Sequence, residues 1–200
     1  MSAARGRSDG VRFDPIPILE LLVRHDVRFV LIGGVAGNAH GSTTYTLDTD
    51  ICYQRDERNL EKLAAALREL RVTLRGADPS LPFKIDARTI RNGLNFTFET
   101  AEYGAFDCLG EASGYTYEII AANSERGDIG GVIVPIASLD DLIRMKRAAG
   151  RLKDLVEVEN LSKLRDVREE RGLYGLAEPQ VTPRSRTRAS RKRKTSPARR

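Results

Sequence analysis

The stretch Leu31–Tyr53, LIGGVAGNAHGSTTYTLDTDICY, constrains the fold more than any other part of the chain. An apolar, β-rich run, VRFVLI, stops at the pair Gly33-Gly34, which is typical of a buried strand that ends in a tight turn. The residues after this pair are enough for a short helix closed by a further glycine. TLDTDICY then alternates in polarity, so Asp48 and Asp50 are expected on one face of a second strand.

The rest of the chain predicts a mixed α/β unit followed by helices. Apolar spacing and capping residues predict helices at PIPILELLVRHD, ERNLEKLAAALREL, LDDLIRMKRAAG and RLKDLVEVENLSKLRDVREE. LNFTFET, GAFDCLG, YTYEII and GVIVPI predict strands, whereas DPSLPFKIDARTIRNG predicts irregular chain with room for one short strand. We therefore expect an α/β (α+β) fold, in which helices flank a mixed twisted sheet and a small helical part follows at the C-terminal side.

Length and composition allow one well-cored domain, because the chain has 200 residues of which 40% are apolar. We divide it into a flexible arm at 1–12, a core at 13–137, C-terminal helices that complete the active site at 138–176, and a disordered basic tail at 177–200. The net charge of +5 comes from the tail: residues 179–200 carry nine Arg and Lys and no acid, which leaves 5 − 9 = −4 for residues 1–178. The tail is either a solubilising terminus or a salt-sensitive tether for RNA or DNA.

Cysteine use and hydropathy predict a cytoplasmic location. Cys52 and Cys108 are the only cysteines and have no metal-binding or redox spacing, which favours a reducing compartment. No apolar run has the length of a membrane span, and MSAARGRSDG lacks the apolar region of a signal peptide. We therefore expect no membrane partner.

The two strand carboxylates predict a bound cation. Asp48 and Asp50 would both be ionised near neutral pH, and burying like charges side by side is costly unless a cation compensates them. Mg²⁺ prefers oxygen ligands and leaves positions for water or substrate phosphates. A third ligand has to come from a neighbouring strand: Asp107 in AFDCL has the stronger strand pattern, and Asp86 in FKIDA is the alternative.

Because a glycine pair after one strand is followed by Asp-x-Asp on the next, the chain resembles the DNA polymerase beta-like nucleotidyltransferase superfamily. The signature of that superfamily is Gly-Gly or Gly-Ser, a short spacer, Asp-x-Asp and a later third acid. More narrowly, GGVAGNAHG, TLDTDI and SLDDLIRMKRAAGRLKDLVEVENL resemble the AbiEii/MenT group of nucleotidyltransferase toxins. The resemblance runs from about Val27 to Leu161. One departure is Thr44, which stands where members often carry Arg, so that a phosphate contact is missing or comes from another residue.

The resemblance implies Mg²⁺-dependent transfer of a nucleotide from a nucleoside triphosphate, CTP or UTP, to the 3′ end of tRNA. Such transfer would block aminoacylation, and a cognate antitoxin would restrain it. Two alternatives stay open: a nucleotidyltransferase that acts on a small molecule or antibiotic, and a catalytically weak nucleotide-binding module. A cationic drug would require a roomy acidic acceptor pocket.

The resemblance also implies roles at the carboxylates and the glycine turn. Asp48, Asp50 and Asp107 would hold one or two Mg²⁺, with Asp107 taking the proton of the attacking hydroxyl. Gly33 and Gly34 would cradle the β- and γ-phosphates through backbone N–H groups.

Further implied sites lie outside this signature. Lys146 would neutralise the triphosphate, or else is a solvated helix lysine, and Arg147 and Arg151 are nearby basic alternatives. Asp154 would anchor Lys146 or Arg151, or else is a helix-start acid favoured by the dipole. Thr46, expected on the same strand face as the ligands, would be phosphorylated by an antitoxin kinase, or else is a β-favouring entry to the strand.

Overall fold

The computed structural model describes residues 13–78 and 83–172. Its helices are α1 (Pro15–Arg24), α2 (Gly33–Ala39), α3 (Glu57–Glu69), α4 (Ala87–Asn92), α5 (Tyr117–Ala122), α6 (Leu139–Ala149) and α7 (Leu152–Glu170). Its strands are β1 (Phe29–Ile32), β2 (Asp48–Tyr53), β3 (Thr73–Leu74), β4 (Asn95–Glu99), β5 (Ala105–Leu109), β6 (Glu111–Ala112), β7 (Tyr115–Thr116), β8 (Glu125–Ile129) and β9 (Val132–Ile136). The predicted arm at 1–12 and tail at 177–200 lie outside the described residues.

A seven-stranded mixed sheet in the order β3-β4-β5-β2-β1-β9-β8 carries the fold. The pairs β2–β5 and β1–β9 are parallel, and the other neighbours are antiparallel. Ile32, the last residue of β1, lies opposite Asp50, so the glycine turn that follows β1 comes beside that carboxylate. Asp50 is also opposite Asp107 across the β2–β5 pair. The predicted fold class is confirmed.

The pleat of β2 separates the core from the carboxylates. Thr49, Ile51 and Tyr53 have no exposed surface, and the latter two join the hydrophobic core with Leu60 and Leu63 of α3. Each fully buried apolar side chain of this size contributes about 1.5–3 kcal/mol. The core therefore holds one face of β2 firmly and leaves the opposite face to Asp48 and Asp50.

The two C-terminal helices begin and end at the residues that the sequence predicts. The hydroxyl of Ser138 accepts the N–H of Asp141 at 3.2 Å, which caps α6 at its start. Gly150 ends α6 with φ +68°, a left-handed conformation that favours glycine. After this turn α7 packs against α6.

Two segments have a different secondary structure from the one predicted, and one predicted strand begins later than expected. In YTYEII only Tyr115–Thr116 is a strand, and Tyr117–Ala122 forms α5. Ile120 is fully buried while Ile119 is 47% exposed, as expected where only one face of a short helix is buried. The sequence shows both as one apolar run, which is also typical of a strand.

The other wrong prediction concerns the segment before β4, which contains a helix rather than irregular chain. Asp86 caps α4 by accepting the N–H of Thr89 at 2.8 Å. The helix has only six residues, which is too short for its apolar periodicity to show in the sequence. In addition, β2 begins at Asp48, so Thr46 lies before the strand instead of on it. Among the described residues, no helix combines the length and apolar character needed to cross a bilayer.

Candidate active site

Three carboxylates meet on one face of the sheet, and we call them the triad: Asp48, Asp50 and Asp107. The first two come from alternate positions of β2, and the third is the register partner of Asp50 on β5. One carboxylate oxygen from each residue lies within 4.8 Å of the others. Asp86, the alternative third ligand, instead caps α4.

Gly33 and Gly34 have no room for a side chain, because the triad and Thr46 lie too close to them. Gly33 has φ +67°, and a Cβ built there would lie 2.0 Å from Oδ2 of Asp50. A Cβ on Gly34 would lie 2.5 Å from Oγ1 of Thr46. The backbone N–H of Gly34 donates to the carboxylate of Asp50. The pair therefore has a structural role at the triad, and its contact with phosphates stays a prediction.

Thr46 is a direct neighbour of the triad even though it precedes β2. Its hydroxyl donates to Oδ1 of Asp48 at 2.7 Å. Thr44, which replaces the arginine of the resembled group, contacts Ser42 and not the triad: its backbone N–H donates to the Ser42 hydroxyl at 3.2 Å.

Burial and mutual repulsion oppose ionisation of Asp50 and Asp107. The pKa of Asp50 is raised from 3.8 to about 7, first by burial and then by the charges of Asp48 and Asp107. The charge of Lys146 and the N–H of Gly34 lower it only in part. Burial likewise raises the pKa of Asp107 above its ordinary value.

The triad fits Mg²⁺. Within the described residues, Oδ1 of Asp107 is buried and has no hydrogen-bond partner, which is unfavourable unless something else occupies its lone pairs. All the donors are carboxylate oxygens, the ligands that Mg²⁺ prefers. A divalent cation would bind the orphaned oxygen and offset the repulsion that raises the pKa of Asp50.

A cavity of about 390 Å³ adjoins the triad on the side of the glycine turn and α6. We call it the cationic cavity, because Lys146 and Arg151 line it together with Gly33 and Asp50. Part of its wall is apolar and is formed by Leu142, Met145, Ala149, Leu109 and Ala112. Glu111 and Asp154 add two carboxylates to its lining. A polar end that carries two cations beside the triad, together with an apolar end, suits a nucleotide.

Two acids of α7 hold the two cations of this cavity. Lys146 donates to Glu157, and both side chains are largely buried, at 15% and 20% exposure. Arg151 donates through Nε to the buried Asp154 at 2.5 Å. Sequence reasoning missed Glu157; its spacing of three from Asp154, which puts both on one helix face, was the available signal. Arg147 is exposed on α6.

No protein-family model and no curated protein matches the chain. Among solved structures, the lincomycin-bound lincosamide antibiotic adenylyltransferase LnuA superposes with a TM-score of 0.51 at 16% identity, over 74% of this chain and 94% of LnuA. The chain has the nucleotidyltransferase fold. A putative nucleotidyltransferase from Thermotoga maritima (TM-score 0.46, 16% identity, 78% of this chain and 90% of that one) is less similar, and so is ANT(2″)-Ia in solution (0.47, 17%, 78% and 89%).

Proposed function

We propose that the protein is a Mg²⁺-dependent nucleotidyltransferase. The observation that carries this proposal is the triad, with an orphaned carboxylate oxygen, directly beside a cavity that presents two cations. The fold shared with LnuA is compatible with this chemistry. A nucleoside triphosphate needs both features, since its phosphates bind cations and its reaction requires charge neutralisation.

In the proposed reaction an acceptor hydroxyl attacks the α-phosphorus of a nucleoside triphosphate. A bond forms from the acceptor oxygen to phosphorus, the bond to the leaving pyrophosphate breaks, and Asp107 takes the hydroxyl proton. Lys146 and Arg151 hold the polyphosphate in place, each fixed by its acid on α7. Asp48 and Asp50 would hold Mg²⁺, which when bound would supply charge neutralisation of the phosphates.

The test is label transfer from α-labelled nucleotide. Asp48→Asn and Asp107→Asn should each abolish transfer, because each removes a carboxylate of the triad. Asp86→Asn is the matched control: it changes an aspartate that caps α4, and an asparagine can still cap, so transfer should persist. A fully active Asp48→Asn protein would refute the assignment.

For the acceptor, the comparison with LnuA supports a small hydroxylated molecule more than it supports tRNA. The second candidate is the 3′ end of tRNA with CTP or UTP as donor, in a toxin restrained by an antitoxin; the resemblance of GGVAGNAHG and MKRAAGRLKD to the AbiEii/MenT group supports it. Incubating the protein with each of the four nucleotides and either total tRNA or lincomycin separates the two. A shifted tRNA band supports the toxin, and modified lincomycin with unchanged RNA supports the small-molecule enzyme.

Phosphorylation of Thr46 by an antitoxin kinase belongs to the toxin proposal. Its support is that the hydroxyl already contacts Oδ1 of Asp48 and packs against Gly34. A phosphate there would add about −1.5 to −2 charges beside the triad and repel the triphosphate. Thr46→Glu should therefore lower transfer strongly, while Thr43→Glu, at an exposed position of the same segment, should not. Unchanged transfer by the first variant would argue against the switch.

A further inference from the structure

A second cavity, of about 530 Å³, borders the triad at Asp48. It is lined by Phe13, Leu47, Asp48, Arg75, Glu99 and Thr100, and we call it the distal cavity. Both cavities lie on the same face of the sheet. Asp48 and Glu99 both pair with Ala105, the first residue of β5, and therefore share its face. Leu109, the last residue of β5, lies four residues further on the same face and lines the cationic cavity, so the two cavities lie toward opposite ends of β5.

The triad therefore stands between two cavities of different chemistry. The cationic cavity contains two cations, Lys146 and Arg151, together with the Gly33 turn and the carboxylates of Asp50, Glu111 and Asp154, whereas the distal cavity contains one guanidinium and two carboxylates. In phosphoryl and nucleotidyl transfer the attacking and leaving oxygens are roughly in line across phosphorus. If the polyphosphate occupies the cationic cavity, the acceptor hydroxyl has to come from the opposite side of the triad.

We propose that the distal cavity is the acceptor site, and that it takes a small hydroxylated molecule, uncharged or cationic, with an apolar ring face. This inference rests on the proposed function. Three further observations define the chemical class.

The charges of the distal cavity disfavour a polyanion. Arg75 is its cation, and the Nε atom of that residue lies 3.8 Å from a carboxylate oxygen of Glu99, which already offsets its charge. Asp48 adds a second carboxylate. A nucleic-acid backbone requires surplus positive charge at its contacts, and the described residues of this cavity do not supply it.

The size of the distal cavity matches a small ligand. Pockets for such ligands have volumes of about 300–1,000 Å³, and a volume of about 530 Å³ lies within this range. The β4–β5 connection and Phe13 close one side: a Cβ on Gly104 would lie 3.2 Å from the ring of Phe13 and 3.4 Å from the carbonyl oxygen of Leu47. The chain at Gly104, Phe13 and Leu47 is closely packed and therefore forms a wall on that side of the cavity.

An apolar shelf extends from the mouth of the distal cavity. Exposure alternates along residues 41–48, so that Thr43, Tyr45 and Leu47 face outward while Thr46 and Asp48 face inward. Tyr45 is 82% exposed and Leu47 is 54% exposed, although both are large apolar side chains. Because Leu47 lines the distal cavity and Tyr45, two residues earlier, lies on the same outward face, the pair offers a ring-packing surface at the edge of the cavity.

The experiment blocks the distal cavity without touching the nucleotide. Cys52 and Cys108 are fully buried and their thiol pKa values are raised by burial, that of Cys52 to about 12, so a maleimide should spare them. Leu47→Cys places an accessible thiol in the cavity wall. Val23→Cys on α1, where the native valine is 46% exposed, is the matched control away from both cavities.

Each protein is assayed with and without a bulky maleimide for Mg²⁺-dependent binding of a fluorescent nucleoside triphosphate and for label transfer. The acceptors are the small-molecule filtrate and the total RNA of one bacterial extract. We expect label in the small-molecule fraction. Labelling the Leu47→Cys protein should lower that transfer about a hundredfold, because the acceptor hydroxyl can no longer reach the position from which it attacks phosphorus. The affinity for the nucleotide should stay within about threefold. The Val23→Cys protein should not respond.

The outcomes are distinguishable. Transfer to small molecules that persists after the distal cavity is blocked refutes this inference alone. Label in RNA also refutes it and leaves nucleotidyl transfer intact, with tRNA as the favoured acceptor. Absence of transfer to either fraction refutes the proposed function and this inference with it.

Discussion

Replacing Asp50 with asparagine should stabilise the protein in the absence of divalent cations. The side chain lies between Asp48 and Asp107, and burial together with these two charges raises its pKa to about 7. Asparagine has nearly the same shape, carries no charge, and its amide can donate to the neighbouring carboxylates. Asp50→Asn therefore removes the unfavourable charge without opening a cavity.

The size and the pH dependence of the effect follow from the pKa. Below 3.8 Asp50 is protonated in both states, so it makes no difference to stability. As the pH rises from 3.8 to about 7, the unfolded chain releases the proton and the folded protein retains it, so stability falls. Above about pH 7 the charged side chain destabilises the folded protein by the full amount that corresponds to the two pKa values, about 4 kcal/mol. Weakening the hydrogen bond from the N–H of Gly34 returns about 1 kcal/mol, which leaves about 3 kcal/mol.

The assay is urea denaturation of wild type and Asp50→Asn with a chelator present, at about pH 4 and about pH 8. The difference between the two proteins reports Asp50 together with its coupling to Asp48 and Asp107, because the remaining titrating groups are common to both. We expect nearly equal stability at the lower pH and a more stable variant at the higher one. Adding Mg²⁺ at the higher pH should stabilise wild type and reverse or reduce that difference.

Asp86→Asn is the control of opposite sign. Hydrogen bonds from Thr89 and Lys84 lower the pKa of Asp86, so its charge favours the folded state, and its replacement should give no gain at the higher pH. The reasoning is refuted if Asp50→Asn is less stable than wild type in chelator at about pH 8. It is also refuted if the difference between the two proteins does not change with pH.

Two further substitutions test the supports of the site, each by urea denaturation. Gly33→Ala should be destabilising by about 3 kcal/mol or more, because its Cβ would collide with Asp50, whereas Gly76→Ala, at a similar φ of +71° but in open space, should carry only the backbone strain of about 1–2 kcal/mol. Glu157→Gln should cost about 1–3 kcal/mol, because it leaves a largely buried lysine without its partner. Glu159→Gln should have little effect on stability, because both members of its ion pair are exposed. Equal effects within either pair would contradict the structure.

The parts of the fold that were predictable from sequence are those with strong local patterns. The run ending at Gly33, the alternation from Asp48, and the capped helix after Ser138 each bury one face, so periodicity reports them. Helix α4 was missed because a single residue, Ile90, is buried in it. Strand β8, ERGDI, was missed because an edge strand tolerates charge, and Gly127 is its one buried residue.

The carboxylates of the candidate site were predictable because a strand pleat dictates their spacing, whereas their supports were not. Asp107 could be preferred over Asp86 from the strand pattern around it, and the β2–β5 register then places it beside Asp50. The contact of Lys146 with Glu157 depends instead on how α7 folds back along α6, which single-residue patterns do not report.

The same distinction explains why the glycine pair is so informative. A Gly-Gly turn alone predicts a tight bend, and an Asp-x-Asp strand alone predicts exposed acids. In the structure each needs the other: Oδ2 of Asp50 occupies the volume that a side chain on Gly33 would fill, and the N–H of Gly34 stabilises that carboxylate. Because the turn is shaped around a charge that burial and two neighbouring carboxylates disfavour, the backbone turn and the carboxylate form one unit. We therefore expect the Mg²⁺-free protein to be less stable than Asp50→Asn, which is the trade-off between stability and function that a proposed ion site would carry.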